Sequence, residues 1–471
     1  IQRAPTFPQQ CYYYNHATIH PSITATTTRT RIRQSSSSSS TTPVTTTVIR
    51  EELLEGEYAL LQRSETPITT LTWFQGDSTK AATALQDRLP KIMDHNPWLG
   101  GRITSDQGKA ILTFDPTTPV HMDRHFRILS PHQSPIRRQT PLPRLARDCK
   151  DLLLKNGSTE PLFQVTMVPC RTRPTTHFAL IVALSHIVGD GHTYYKLLSM
   201  LCSKGDDGND ATVKPLIYQR LASSTQQQAD AMGQDNYDFF ARPGPAFFLN
   251  YAAGVIKART FGAVNQCIFA RVDEAGMQQE KKNYTSKNGG TTSGNSVDFV
   301  STNDVLTSWF LKTTQSDVGA MAINFRNRLK GHTDHHAGNY ESIIVYAPRD
   351  YDSPALIRKS LDQFRRTETI QDPLPNFFQA LGLSSGLVTN WSSFSQPNNN
   401  LPNCQEELHI PLYDAVPLVP SGTAVMIIFR AGPTQGLGLF LAGSPTVLNE
   451  LGYSRQFQMK KPAFLSSRPL R

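Results

Sequence analysis

The stretch "SHIVGDGHTYYKLL", residues 185–198, carries His186, Asp190 and Gly191 in the spacing H-x-x-x-D-G. A neutral imidazole takes a proton from an alcohol or amine near neutral pH. The apolar run "HFALIVAL" (177–184) leads straight into it and has the composition of a strand buried on both faces. His186 therefore stands at a strand end, either as a base at the lip of a cleft or as a packed core histidine. Asp190 either orients the imidazole, caps the next helix, or braces the loop by pairing with an arginine. Gly191 leaves clearance for backbone or substrate. His192 starts the following helix and is not counted as a second base.

The elements that must position these residues alternate between strand-like and helix-like patterns. Structure is expected to begin near Val48. "EYALLQRS" (57–64) reads as a strand, and "TKAATALQDRLPKIMDHNP" (79–97) as a helix stopped by Pro97. "GKAILTFD" (108–115) reads as a strand, "RLARDCKDLLLKN" (144–156) as a helix and "PLFQVTMVPC" (161–170) as a strand. "HTYYKLLSMLCSK" (192–204) shows helical spacing, with Tyr195, Leu198 and Leu201 or Cys202 on one face. Polar linkers are expected at 203–215 and 221–237, and a polar loop at 284–295. In the second half, "STNDVLTSWFLKTTQ" (301–315) reads as a helix capped by Ser301 or Thr302 with Asp304 in its first turn. Strand-like pieces surround it: "QCIFARVD" (266–273), "GAMAINFR" (319–326), "SIIVYA" (342–347), "GLVTNWSSF" (386–394), "TAVMIIFR" (423–430) and "GLGLFLAG" (436–443). This alternation implies two α/β domains rather than a helical bundle or a β-sandwich.

Composition narrows the function classes. The 471 residues carry a formal charge of +9, but Arg3, Arg29, Arg31, Arg33 and Arg50 lie in an acid-free start and Arg455, Lys460, Lys461, Arg468 and Arg471 in an acid-free end. Residues 51–453 are left near −1, so a nucleic-acid-binding body is disfavoured. The six scattered cysteines include no C-x-x-C pair and read as free thiols, not a disulfide framework or zinc site. No apolar run reaches the ~18 residues of a membrane span. "PAFFLNYAAGVI" (245–256) reads as a buried helix sooner than as a segment resting on lipid. Residues 1–47, with "QSSSSSSTTPVTTT" at 34–47, cannot bury a core and are expected to be disordered. Their Arg- and Ser-rich, acid-free composition also fits an organellar transit peptide, so the expected compartment is the cytoplasm or an organelle.

In chain order, "NPWLGGRI" (96–103), the H-x-x-x-D-G stretch, "STNDVLTSW" (301–309), "NFRNRL" (324–329), "GNY" (338–340) and "VTNWSSF" (388–394) resemble the BAHD acyltransferases, within the wider superfamily of chloramphenicol acetyltransferase and condensation domains. The resemblance runs from about residue 48 to 450. It implies an α/β fold of two chloramphenicol-acetyltransferase-like domains, 48–215 and 261–453, joined by a crossover at 216–260 and followed by a basic tail at 454–471. A tunnel would run between them, admitting acyl-CoA from one side and a small alcohol or amine from the other. His186 would be the general base. Asp190 would point away and pair with an arginine of "NFRNRL", Arg326 being favoured over Arg328. Acyl-CoA would be a co-substrate, with no resident cofactor, no metal and a monomeric chain. In "VTNWSSF", Thr389, Trp391, Ser392 and Ser393 are candidates to line the tunnel or steady an oxyanion. Alternation puts Thr389, Trp391 and Ser393 on one face and Asn390 and Ser392 on the other. The D-F-G-W-G motif of plant members is absent: the corresponding "LYDAVPLVPSG" (412–422) keeps only Asp414. A carrier-protein-bound donor, or a non-catalytic binding protein on the same fold, are the competing expectations.

Two other patterns carry little. "GLSSG" (382–386) fits G-x-S-x-G, but a strand-like segment follows where a nucleophile elbow needs a helix. "HTDHH" (332–336) reads as a solvated loop, since no second ligand cluster accompanies it.

Overall fold

The computed structural model describes residues 48–62, 66–107, 109–137, 140–155, 160–202, 213–241, 265–288, 297–366, 384–394, 401–413 and 423–453. The extension 1–47, the segment 245–256, residues 414–422 and the tail 454–471 named above lie outside these.

The strand His177–Leu184 is buried at all eight positions. It lies at the centre of a five-stranded sheet ordered Cys404–Pro411, Ile68–Gly76, His177–Leu184, Phe163–Pro169, Phe126–Ile128. Both of its neighbours run antiparallel to it. The helix Gly191–Cys202 leaves its end and has ten of its twelve residues buried, more than the one face that the spacing suggests. A small antiparallel sheet of Ile49–Glu52, Lys109–Phe114 and Arg102–Asp106 stands beside this layer.

The second half builds a six-stranded sheet ordered Glu341–Tyr346, Val318–Asn324, Ser385–Asn390, Thr423–Arg430, Leu437–Gly443, Gln266–Arg271. Ser385–Asn390 pairs in parallel with both of its neighbours. The helix Thr302–Thr313 is fixed by a capping box: Ser301 Oγ accepts from the Asp304 amide at 3.3 Å, and Asp304 Oδ2 accepts from the Ser301 amide at 2.7 Å. One strand crosses over. Cys404–Pro411 leaves the second half and pairs with Ile68–Gly76 in the first half's sheet, with a bulge between Glu406 and Leu408. The fold is mixed α/β in several sheets, and the described residues belong to one compact unit.

Several local expectations are corrected. Residues 57–62 are not strand: Glu55–Gln62 is a helix. Glu57 reaches back to accept from the Leu54 amide at 2.8 Å, and this closes the first turn. The supposed linker at 221–237 contains the helices Ser224–Met232 and Gln234–Ala241, separated at Gly233 with φ +86°. Hydrogen bonds four residues apart, such as Gln226–Asp230 at 2.7 Å and Gln234–Asp238 at 2.8 Å, support these polar helices. The loop expected from 284 is helical as far as 288, within Glu274–Asn288. The helix expected over 144–156 runs Leu142–Asp148 and is followed by a short 3-10 turn, Lys150–Leu152. The strand expected over 386–394 stops at Asn390, because Asn390 Oδ1 accepts from the Ser392 amide at 3.0 Å and turns the chain.

Candidate active site

After Leu184 the chain leaves the sheet. The Ser185 amide donates to the Leu162 carbonyl at 2.7 Å, and His186 begins a turn that ends at Gly189. A side chain at Gly189 would stand 2.8 Å from Thr193 Cγ2 and 2.9 Å from Leu184 Cδ2, so glycine is needed for the turn to close. At Gly191 a Cβ would meet Trp391 and Phe394 at an ordinary 3.5 Å. Packing therefore forces glycine at 189, whereas Gly191 borders open space.

That space is a cavity of about 150 Å³ between the His186 turn, the helix Glu55–Gln62 and the six-stranded sheet. Leu54, Leu60, Ile68, Leu387, Val425 and Ile427 give it apolar walls, and Ser224, Thr225 and Gln228 give it a polar one. His186, Gly191, Thr389 and Trp391 all line it. Ser392 and Ser393 do not. Ser392 Oγ donates to Asn390 Oδ1 at 2.7 Å, its carbonyl accepts from Arg430 Nε at 3.2 Å, and Ser393 is exposed in the turn.

The hydrogen bonds around His186 decide its tautomer. Asn339 Nδ2 donates to the His186 carbonyl at 2.7 Å and approaches the Ile187 carbonyl and Glu57 Oε1 at 3.4 Å. These are all acceptors, so the amide nitrogen must face them and Asn339 Oδ1 must face His186 Nδ1, at 3.1 Å. Nδ1 then carries the hydrogen, and Nε2 is the ring nitrogen on the Glu341 side, 3.7 Å from its Oε1. Asn339 is itself fixed, because its backbone N–H donates to Glu57 Oε1 at 2.9 Å. Glu57 is fully buried and paired with Arg220, whose Nη2 lies 2.9 Å from Oε1. Arg220 also donates to the carbonyls of Val188 at 3.0 Å and Ala337 at 3.0 Å.

Asp190 belongs to a second buried pair. Arg326 Nη1 donates to Asp190 Oδ2 at 2.6 Å, with the two side chains 0% and 1% exposed. Asp190 also accepts from the amides of Thr193 at 3.0 Å and Tyr340 at 3.1 Å, so it caps the helix and braces the loop at once. Burial alone would raise its carboxyl, but the charge and hydrogen bond of Arg326 outweigh that and hold it below the ordinary carboxylate value. Arg326 donates further to the carbonyls of His336 and Gly338, both at 2.9 Å. Arg328 lies instead over the ring of Phe364 at 5.5 Å. His192 Nε2 faces the Asp334 carbonyl at 3.2 Å, and burial with the nearby Arg326 charge holds its pKa below the ordinary imidazole value.

The "HTDHH" histidines serve the same loop. His332 Nε2 meets Ser224 Oγ at 2.9 Å and His336 Nδ1 meets Thr333 Oγ1 at 2.9 Å. No group of three metal-ligating side chains occurs among the described residues. In "GLSSG", Ser384 Oγ lies 2.9 Å from Asp317 Oδ2 and 2.8 Å from the Gln315 carbonyl, and residues 382–383 lie outside the described ones. No described helix is long and apolar enough to cross a membrane.

Four residues escaped the sequence reading. Asn339 stood inside the "GNY" motif without a role. Glu57 and Arg220 meet across 163 positions, and no local pattern signals that. Glu341, which lines the cavity with its Oε1 3.7 Å from His186 Nε2, is the fourth.

No family model matches the chain, and no curated protein matches it in sequence. Solved structures do resemble it. F. sporotrichioides TRI101 complexed with coenzyme A and T-2 matches at TM-score 0.54 and 13% identity, over 87% of this chain and 98% of that one. F. graminearum TRI101 complexed with ethyl coenzyme A matches at 0.53 and 11%, over 88% and 98%. Vinorine synthase matches at 0.53 and 13%, over 90% and 96%. At these identities the likeness is one of architecture: the chain has the several-sheet α/β fold of the BAHD-type acyltransferases.

Proposed function

We propose that this chain transfers an acyl group from acyl-CoA to the hydroxyl or amine of a small-molecule acceptor, with His186 as general base. The observation that carries the reading is the His186–Asn339 hydrogen bond of 3.1 Å, which leaves the lone pair on Nε2 of a histidine that lines a cavity. The solved relatives of the fold that hold coenzyme A support the choice of donor.

In this reading Nε2 takes the acceptor's proton as its oxygen or nitrogen attacks the thioester carbonyl. The tetrahedral intermediate then collapses with cleavage of the C–S bond, and the imidazolium returns the proton to the thiolate. Thr389 is the candidate to donate to the oxyanion, and Trp391 supplies a rigid wall. Asp190, Gly191 and Arg326 support the site without touching the reacting atoms. The two acyltransferase domains, 48–215 and 261–453, would meet at the cavity, with Cys404–Pro411 lent by the second to the first.

The test is turnover of an acyl-CoA panel against alcohols and amines, read as thiol release and product mass. His186→Ala is expected to lower the rate by about 10²–10⁴-fold with the fold retained. Unchanged turnover would remove His186 as the base. Replacing acyl-CoA by a carrier-loaded donor separates the two donor classes.

A further inference from the structure

The acyl-transfer reading leaves the acceptor open, and the polar wall of the cavity narrows it. Ser224 and Gln228 stand four residues apart on the helix Ser224–Met232, so they share one face, and both line the cavity. Both are buried, Ser224 at 0% and Gln228 at 5% exposed. Three hydrogen bonds fix how the Gln228 amide is turned. His332 Nδ1 faces the Lys330 carbonyl at 3.2 Å, and a carbonyl only accepts, so Nδ1 carries the hydrogen. Burial lowers the His332 pKa, so above about pH 6.5 the ring is chiefly neutral and its Nε2 is an acceptor. Ser224 Oγ, 2.9 Å away, therefore donates to that Nε2 and has only lone pairs left for Gln228. The Gln228 atom 3.1 Å from Ser224 Oγ must then be its nitrogen, and the opposite assignment of the amide is ruled out.

Gln228 Oε1 is what remains. Among the described residues no group donates to it, and it is not sealed from the cavity that the side chain lines. A carbonyl oxygen held in one direction inside a largely apolar cavity lacks a hydrogen, and a ligand that brings an O–H or N–H supplies it. Leu387, Val425 and Ile427 offer plain apolar contact on the sheet side, which suits an acyl chain with no hydrogen to give. The geometry points to an acceptor with an apolar skeleton and two separated hydroxyl or amino groups, one acylated at His186 and the other held as a hydrogen-bond donor by Gln228 Oε1; this rests on the acyl-transfer reading. The first group gives its proton to His186 Nε2 and attacks the thioester carbonyl. The C–S bond breaks, and the imidazolium proton goes to the departing thiolate. The second group keeps its hydrogens, so the products are a mono-acylated acceptor and coenzyme A thiol. A mono-alcohol leaves Oε1 unpaired, and an ether in the second position meets it lone pair to lone pair, so both are selected against.

The experiment uses the purified full chain with acetyl-CoA, whose acyl group carries no O–H or N–H. Acceptors come in matched trios of diol, its monomethyl ether and the mono-alcohol, built on butane, hexane, octane and 1,4-dimethylbenzene. At the spacing that fits, kcat/KM per hydroxyl is expected to be about ten- to a hundredfold higher for the diol than for its ether or the mono-alcohol. Gln228→Met is expected to bring that ratio close to one. Ser224→Ala, which frees the Gln228 amide to turn, is expected to narrow it. Diols no better than their ethers at every spacing would overturn the proposal, and that comparison needs only the wild-type chain. So would a diol preference unchanged in a Gln228→Met protein with wild-type circular dichroism and melting. A raised KM for acetyl-CoA as the sole change in that variant would place Gln228 on the donor and overturn it too. Each of these results would leave the acyl-transfer reading standing, because His186-dependent thiol release persists. Thiol release absent with every acceptor, or equally fast in His186→Ala, would overturn that reading and this proposal together.

Discussion

His186 is held from behind. Its Nδ1 hydrogen goes to Asn339, Asn339 leans on Glu57, and Glu57 is neutralised by Arg220. Each step fixes the next, so the imidazole has one tautomer and one orientation. Asn339→Ala is therefore expected to lower kcat by about 10²-fold while KM moves little, since a misplaced reacting group costs that much. Steady-state kinetics on the variant checks it, and a rise in KM with kcat unchanged would contradict a positioning role. The two glycines of the motif separate in the same way. Gly189→Ala should cost about 1–3 kcal/mol by overpacking against Thr193 and Leu184. Gly191→Ala should stay within about 0.5 kcal/mol of wild type, yet narrow the cavity and slow turnover. Urea melts of both variants distinguish these outcomes. At this scale the sequence carries residue types and spacing, so His186 as a candidate base is legible. Asn339 is not, because its role depends on which atom of its amide faces which neighbour.

The elements owe their arrangement to two buried ion pairs on either side of the His186 turn. Asp190–Arg326 ties the start of the helix Gly191–Cys202 to the loop after Val318–Asn324, and Glu57–Arg220 ties the helix Glu55–Gln62 to the segment before Ser224–Met232. Removing one partner of such a pair leaves an uncompensated charge in the interior. Asp190→Asn should accordingly lose about 3–5 kcal/mol of stability along with activity. Lost activity at wild-type stability, measured by chemical denaturation, would instead make Asp190 a carboxylate of the reaction. The strand His177–Leu184 and the helix Thr302–Thr313 are legible because an unbroken apolar run and a capping box are local signals. The helix Glu55–Gln62 misleads because apolar residues at 58 and 60 imitate strand alternation, while the bond that starts the helix comes from a glutamate side chain. The pairing of Arg326 with Asp190 spans 136 positions and is legible only through resemblance to a family.

Across the whole molecule, the crossover strand Cys404–Pro411 fastens the two large sheets to each other, which fixes the cavity between them. Nothing in a run of alternating polar and apolar residues says which sheet it will join, so the clasp was invisible in the sequence. The molecule also buries several histidines. Burial holds His125, His192, His332, His336 and His409 below the ordinary imidazole value, His409 down to about 4. The unfolded chain takes up these protons more readily than the folded chain as pH falls below about 6.5, so acid favours unfolding, for His409 through the window from about 6.5 to about 4. His409 alone should cost about 2 kcal/mol between pH 7 and pH 5. The melting temperature is expected to fall steadily over that range, before most carboxylates titrate; a flat profile would contradict the neutral, buried assignment.

The central claim is that an open Nε2 on His186 accepts the proton of a nucleophile attacking acyl-CoA. The most direct measurement is thiol release from acyl-CoA in the presence of an acceptor panel, by the wild-type chain and by a folded His186→Ala variant. Acceptor-dependent release that falls by about 10²–10⁴-fold in the variant is the result expected. Release of equal rate in both proteins would contradict it.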